Sequence, residues 1–447
     1  MTDSVNTREL ALGILLEVTK EGGYSHMVLR SVLEKYQYLE KKERAFLTRL
    51  SEGTIQRMIE LDYIINQFSR VKVNKMKPVI RNILRMAVYQ MKYMDSVPAS
   101  AACNEAVKLA RKRGFSSLSG FVNGVLRSVS KDLDGVKYPE EGENPIEAIS
   151  VRCSVPEWIV EQWIKDYGIR QAKETAEAFL QEAPLTIRTN LLKTTPEELK
   201  ERLRSEGVTV EPVDRELYPR LTYAFAISGF DHLNALPSFR EGLFYVQDLS
   251  SMMAVEAAEV REGSYVIDVC SAPGGKSIHL AEKMKGTGMV EARDLTEHKV
   301  AMIEENIARH QLSNIRALCR DATVFSGEDV EKADVLMADL PCSGLGVLRK
   351  KTDIKYKMSR EQQQELVQLQ RSILDTVFPY VKKGGTLIYS TCTIHRGENE
   401  ENVQWFVEKH PEFVLEEMRQ IFPGQRLGDG FFIAKLVRSG EPREGNR

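Results

Sequence analysis

Through the first 130 residues, apolar side chains recur at three- and four-residue spacing. Leu10–Val18 (LALGILLEV), Arg44–Ile55 (RAFLTRLSEGTI) and Pro78–Met94 (PVIRNILRMAVYQMKYM) each place an apolar stripe on one helical face. EGGYS, SVPAS and RGFSSLSG interrupt the pattern, because Gly, Pro and Ser clusters end helices. The pattern predicts a helical bundle. Residues 131–150 are polar and turn-rich and read as a linker or its edge.

Helical spacing resumes in PEWIVEQWIKDYG and QAKETAEAFLQEA, and the period then changes to that of strands in PLTIRTN, VTVEPV, AFAISG and LFYVQD. Between the first two strands, Thr195 is placed to cap a helix, with Pro196 at its first position and Glu198 completing a capping box; Gly207 closes it. This stretch predicts a small α+β unit with its helices on one side of a sheet. From about residue 240, strands (YVIDV, MVEAR, IRALC, DVLMADL, TLIYST) alternate with helical segments. That order implies a Rossmann-like, doubly wound parallel sheet, which binds ligands beyond the carboxyl ends of its strands.

A chain of 447 residues accommodates two to four domains. No apolar run approaches the ~20 residues that span a bilayer, and the polar start MTDSVNTREL lacks a signal-peptide core. The six cysteines form no CxxC pair, so neither metal binding nor a disulfide framework is expected, but free thiols in a reducing cytoplasm. The net charge of −2 conceals an asymmetry: residues 1–130 carry 21 Lys and Arg against 12 Asp and Glu, leaving 41 against 52 in the remainder. A basic N-terminal third fits phosphate as its partner, or else a well-solvated helical surface. RKRG (Arg111–Gly114) concentrates positive charge near a helix end.

Candidate chemistry lies at the predicted strand ends. In DVCSAPGGKS (Asp268–Ser277), Ala272, Gly274 and Gly275 allow a ligand close to the backbone ahead of a helix N-terminus. The loop is neither the GxGxxG of nicotinamide enzymes nor a P-loop. Asp294 ends the second strand and Asp321, in CRDA, ends the third; with the glycine loop they point to an adenosine-bearing cofactor. ADLPCSGLG (Ala338–Gly346) and STCT (Ser390–Thr393) then bring Asp339, Cys342 and Cys392 toward the same cleft. A lone cysteine is usually a small buried hydrophobe; two at neighbouring strand tips beside an acid are not explained that way.

These motifs resemble the RNA cytosine-5 methyltransferases, which use S-adenosyl-L-methionine. CSAPGGKS is similar to the family's cofactor loop, DLPCSG and YSTCT to its two cysteine motifs, and GDGFFIAKL to its C-terminal segment. ALGILLEV, RAFLTRLSEGTI and SGFVNGVLR resemble the NusB-like domain of the bacterial subgroup that modifies 16S ribosomal RNA. The resemblance implies a NusB-like RNA-binding domain over 1–135, a small RRM-like domain over 145–235 and a methyltransferase domain over 240–440. It also implies a cytoplasmic enzyme without metal or membrane partner, acting as a monomer. By resemblance, Cys270, Ser271, Ala272, Pro273, Gly274, Gly275, Lys276, Asp294, Asp321 and Asp339 bind the cofactor, and Asp339 and Lys276 assist catalysis.

Covalent chemistry accounts for a thiol, because C5 of cytosine attacks a methyl sulfonium only after a thiolate adds to C6. Spacing leaves open which cysteine adds. DNA cytosine-5 methyltransferases use the thiol of their Pro-Cys motif, which here is Cys342. The resemblance to the RNA enzymes implies Cys392 as nucleophile, with Cys342 assisting release. Leu340, where the family often has Ala, and Thr352, where Pro commonly precedes Asp353, depart from its pattern without removing a reactive group. Transfer RNA as substrate, a nicotinamide-dependent oxidoreductase and a non-catalytic RNA-binding factor are the competing readings; the last two leave the paired thiols or the cofactor acids without a role.

Overall fold

The computed structural model describes residues 6–424 and 428–440, arranged in two compact units. The first comprises Met1–Gln181 with Leu348–Lys357, and the second Glu182–Val347 with Met358–Arg447.

The first unit is helical: α1 (Thr7–Lys20), α2 (Ser25–Lys35), α3 (Lys41–Gln56), α4 (Met58–Phe68), α5 (Pro78–Tyr93), α6 (Ala99–Lys112), α7 (Ser119–Lys131), α8 (Pro145–Cys153) and α9 (Glu157–Ala178). Helix α5 is central, packing on α1, α3, α4, α6 and α7. Its Ile80, Ile83, Leu84, Ala87 and Val88 are buried, each large aliphatic contributing about 1.5–3 kcal/mol. Helix α9 is kinked at Gly168 (φ 83°), where the sequence pattern also breaks. Helix α8 begins inside the stretch read as linker, because Asn144 caps it and Pro145 occupies its first turn.

The segment Leu348–Lys357 belongs to this unit although it follows the DLPCSGLG motif in sequence. Asp353 accepts hydrogen bonds from Ser25 N–H at 3.1 Å and from its hydroxyl. Tyr356 Oη donates to Gln56 O at 3.2 Å. Lys355 Nζ donates to Gln56 O at 2.9 Å, and burial, then the Arg57 charge, lowers the Lys355 pKa to about 7. Thr352, which departs from the resembling motif, is buried here and is followed by a short helix, α15 (Ile354–Lys357).

The second unit contains two sheets. The smaller has β1 (Leu185–Thr189), β2 (Thr209–Pro212), β3 (Ala224–Ser228) and β4 (Phe244–Val246) in the order β2-β3-β1-β4, all antiparallel. Helix α10 (Pro196–Ser205) carries the expected Thr195–Glu198 capping box and buries Leu199 and Leu203 against Ile187, Val210 and Phe225, and a short helix, α11 (Pro237–Arg240), precedes β4.

The larger sheet has seven strands: β5 (Tyr265–Asp268), β6 (Met289–Asp294), β7 (Ile315–Cys319), β8 (Ala333–Asp339), β9 (Val381–Thr391), β10 (Phe413–Ile421) and β11 (Phe431–Arg438). The order β10-β11-β9-β8-β5-β6-β7 is parallel from β9 to β7, and the antiparallel pair β10 and β11 extends it beyond the expected parallel core. Alternation along each strand fills both faces. Val335 and Met337 pack with α12 (Leu249–Ala258), α13 (Gly275–Lys283) and α14 (Glu297–His310); Leu336 and Ala338 pack with α16 (Arg360–Val377) and α17 (Glu400–Lys409). The strand order reverses between β5 and β8, which makes their carboxyl ends the switch point where such sheets bind ligands.

Candidate active site

The loop after β5 is shaped by its own backbone. Gly274 N–H donates to Ser271 O at 2.7 Å, and Gly274 sits at φ 100°, a conformation that strains any L side chain. Its left-handed turn opens α13, so the first N–H groups of that helix point into the cleft. A Cβ on Gly275 would lie 3.2 Å from Tyr245 Cε1, so the aromatic ring closes tightly over the loop. Asp268, at the tip of β5, accepts the Ser277 hydroxyl. Burial raises the Asp268 pKa to about 7, with the Ser277 bond opposing and the nearby Asp339 charge adding.

The acids after β6 and β7 differ. Asp294 is buried: Oδ2 accepts Ala272 N–H at 2.9 Å, and Oδ1 accepts Leu295 N–H at 2.8 Å and Lys299 Nζ at 2.9 Å. It ties the glycine loop to β6, and a carboxylate retains lone pairs for further donors. Asp321 is exposed, and the Thr323 hydroxyl and N–H hold its pKa below the usual value. It lines a 210 Å³ cavity with Ala322, Phe325 and Tyr380. A second cavity of 220 Å³ is lined by Asp268, Cys270, Ser271, Ala272, Pro273, Gly275, Lys276 and Asp339.

Tyr245, Gln247, Asp248 and Ser251 line that second cavity as well, and none of them is singled out by the sequence motifs. Gln247 is buried with its Nε2 unpartnered, and Asp248 caps α12 through Ser250 N–H at 3.0 Å. The only local signal is the Asp-x-Ser of QDLSS, which reads as a helix cap.

At the tips of β8 and β9 the remaining groups converge. Asp339 pairs with Ser390 in register; its Oδ1 accepts the Ser390 hydroxyl at 2.7 Å and its Oδ2 pairs with Lys276 Nζ at 2.6 Å. Burial opposes the Lys276 charge, but Asp339 first, then Asp268 and Cys392, raise its pKa above the ordinary lysine value. Cys342 Sγ and Cys392 Sγ, both half-buried, are 3.3 Å apart. The Cys342 thiol is pushed well up by its hydrogen bond to Cys392, then by burial and by the charges of Cys392 and Glu398. Of the two sulfurs, Cys392 is the one whose charge couples to Lys276 and raises the lysine pKa.

Four hydrogen bonds hold these loops. Glu398, fully buried, accepts Ser343 N–H at 2.9 Å and Gln370 Nε2 at 3.0 Å, while the hydroxyls of Ser343 and Thr393 bond each other at 2.7 Å. Gly346 N–H donates to Cys392 O at 3.0 Å, and a Cβ on Gly346 would lie 2.7 Å from that oxygen and 2.0 Å from Gly430 O. Every candidate from the sequence thus lies at the carboxyl end of the larger sheet. Asp321 and Phe325 line one cavity; the glycine loop, Lys276 and Asp339 line the other.

Among the described residues no helix is long and apolar enough to cross a membrane, and no cluster of His, Cys, Asp and Glu could hold a metal ion. Residues 255–437 match the family model described as 16S rRNA methyltransferase RsmB/F. Residues 5–131 match the NusB family, and residues 155–216 match an RsmF/B-like ferredoxin-like domain. The chain is 37% identical to the probable ribosomal RNA small subunit methyltransferase B of Bacillus subtilis, over 97% of this chain and 99% of that protein. It is 30% identical to the like-named protein of Synechocystis sp., over 97% of this chain and 100% of the other. The crystal structure of PH0851 superposes with a TM-score of 0.78 at 25% identity, covering 97% of this chain and 99% of that one.

Proposed function

This chain belongs to the 16S rRNA methyltransferase RsmB/F family, and we propose that it methylates C5 of a cytosine in 16S ribosomal RNA through a covalent bond from Cys392 to C6. The observation that carries this reading is the 3.3 Å approach of Cys342 and Cys392, beside a Lys276–Asp339 ion pair. A methyltransferase acting on an oxygen or an exocyclic nitrogen has no use for two apposed thiols.

S-Adenosyl-L-methionine fits the chain's own groups. The tight Gly275–Tyr245 approach leaves no room for a side chain on the loop, and the buried Gln247 Nε2 beside it lacks a partner. Asp294 would hold the ribose hydroxyls, Asp321 and Phe325 the adenine side, and the N-terminus of α13 with Lys276 and Asp339 the amino-acid end. When bound, the cofactor supplies an electrophilic methyl group.

The protein's groups supply the rest. The target base leaves its stack to reach the cleft. Cys392 Sγ bonds to C6, the C5–C6 double bond opens, and its electron pair makes C5 nucleophilic. Asp339 faces N3 and N4 of the base; the proton that N3 takes up as charge develops comes through Asp339 from the Lys276 ammonium, its partner at 2.6 Å. Lys276 also favours the Cys392 thiolate through its charge. Once C5 carries the methyl group, solvent water takes the C5 proton, and the C5–H electron pair re-forms the C5–C6 double bond as the C6–S bond breaks. The N3 proton goes back through Asp339 to Lys276. The C6–S electron pair returns to Cys392, where the Cys342 thiol donates a hydrogen bond to the departing sulfur.

The test is transfer of labelled methyl from S-adenosyl-L-methionine to 16S rRNA and to bulk transfer RNA, followed by nucleoside analysis. Label in 5-methylcytidine from 16S rRNA is expected. Label confined to transfer RNA, or to another nucleoside, would contradict the proposal.

A further inference from the structure

One hairpin of the helical unit is strongly basic. From Ala99 to Lys131, α6, its turn and α7 carry six basic residues (Lys108, Arg111, Lys112, Arg113, Arg127, Lys131) and one acid, Glu105. Within it, Lys108 is paired with Glu105 at 2.8 Å and Lys112 with Glu9 at 2.6 Å. Arg127 and Lys131 are different. They line a 290 Å³ cavity between α6 and α7 with Ser100, Cys103, Asn104, Asn123 and Ser130, and no carboxylate borders it. Among the described residues, Arg127, Lys131, Asn104 and Asn123 make no side-chain hydrogen bond or ion pair within the chain. A folded surface normally pairs or disperses its cations; here two cations and two carboxamides converge on one concavity with their bonding capacity unspent.

That combination specifies a ligand. Cations and hydroxyls match phosphate oxygens, whereas carboxamides, with donor and acceptor side by side, match ribose hydroxyls and base edges. An acidic peptide would offer carboxylates to the cations and backbone N–H groups to the carboxamide oxygens; membership of an rRNA methyltransferase family is what favours RNA. We propose that the α6–α7 cleft binds the sugar–phosphate backbone of the RNA substrate, with Arg127 and Lys131 on phosphate oxygens and Asn104 and Asn123 on the adjoining ribose or base edge. This deepens, and rests on, the reading of the chain as an rRNA methyltransferase.

The experiment uses the full chain and a 16S rRNA transcript, with affinity measured by fluorescence anisotropy across a range of KCl concentrations. Arg127→Gln/Lys131→Gln should weaken binding about tenfold or more near 0.1 M salt. Its log–log salt slope should fall by about 1.4–1.8, from roughly 0.7–0.9 per phosphate contact. Asn104→Ala/Asn123→Ala should weaken binding with the slope unchanged. Lys35→Gln/Lys75→Gln, exposed cations elsewhere in the unit, should match the unaltered protein. Wild-type affinity and slope in the first variant, an equal loss in the Lys35/Lys75 variant, or displacement of RNA by polyglutamate at matched charge would each overturn the assignment. If the unaltered protein binds and methylates the transcript while the cleft variants behave like it, only the cleft fails. If the unaltered protein does neither, the functional reading falls and the cleft with it.

Discussion

Ser343 donates its backbone N–H to Glu398 Oε2 at 2.9 Å, tying the loop that carries Cys342 to the turn that follows Cys392. Glu398 is fully buried, so its removal strands Ser343 N–H without an acceptor and takes one of the two acceptors of Gln370 Nε2, leaving Pro341 O at 2.8 Å. Glu398→Ala should lower the urea-unfolding stability of the second unit by about 2–4 kcal/mol and reduce turnover, whereas Glu398→Gln should recover much of the stability. Unchanged stability in the alanine variant would mean that the loops are held by other contacts.

Gly346 offers a gentler displacement of the same loop. A methyl group there meets Gly430 O and Cys392 O, so Gly346→Ala should shift the Cys392 backbone. Because a shift of about 1 Å at a reacting atom can cost roughly 100-fold, methyl transfer should fall by about that factor. Cofactor affinity, measured by calorimetry, should change little. A fully active variant would show that the strand tips tolerate the movement.

Asp294 is expected to hold ribose hydroxyls while bracing Ala272. Asp294→Ala should weaken S-adenosyl-L-methionine binding by about 10–100-fold, the loss of one charge-assisted hydrogen bond at about 1.5–3 kcal/mol. Calorimetry that returns the wild-type affinity would remove Asp294 from the cofactor site.

The buried Lys355 predicts a pH dependence for the helical unit. Its folded pKa of about 7 lies below the ordinary 10.5, and burial is the main cause. Between those values the unfolded chain binds the extra proton, so unfolding free energy rises with pH across this window and is lost as pH falls toward 7. The effect is on the order of 3–5 kcal/mol over the window. Lys355→Met should flatten this slope in urea unfolding followed at several pH values. An equal slope in both proteins would mean that the ammonium is solvated.

How much of this was legible in the sequence follows from the range of the forces involved. The Thr195–Glu198 capping box and the strand-tip positions of Asp268, Asp294 and Asp339 depend on neighbours a few residues away, and pattern alone locates them. Gln247 and Asp248 did not stand out, because they follow a strand of the smaller sheet and reach the glycine loop only through tertiary packing. Glu398 belongs to the acid-rich GENEENV, and its burial depends on Ser343 and Gln370 from distant segments. The placement of Leu348–Lys357 in the helical unit is likewise carried by Ser25 and Gln56, far away in sequence. Spacing could not rank the two cysteines, and the groups that distinguish their surroundings, Lys276 for Cys392 and Glu398 for Cys342, come from other segments of the chain.

The measurement that bears most directly on the proposed chemistry compares Cys392→Ala with Cys342→Ala, each incubated with 16S rRNA and S-adenosyl-L-methionine and run on a denaturing gel. If Cys392 attacks C6, Cys392→Ala forms neither product nor adduct. Cys342→Ala still attacks and transfers the methyl group but releases slowly, leaving a slow-migrating protein–RNA band that carries label. A labelled band with Cys392→Ala and none with Cys342→Ala would reverse the roles of the two thiols; no band with either would contradict covalent catalysis.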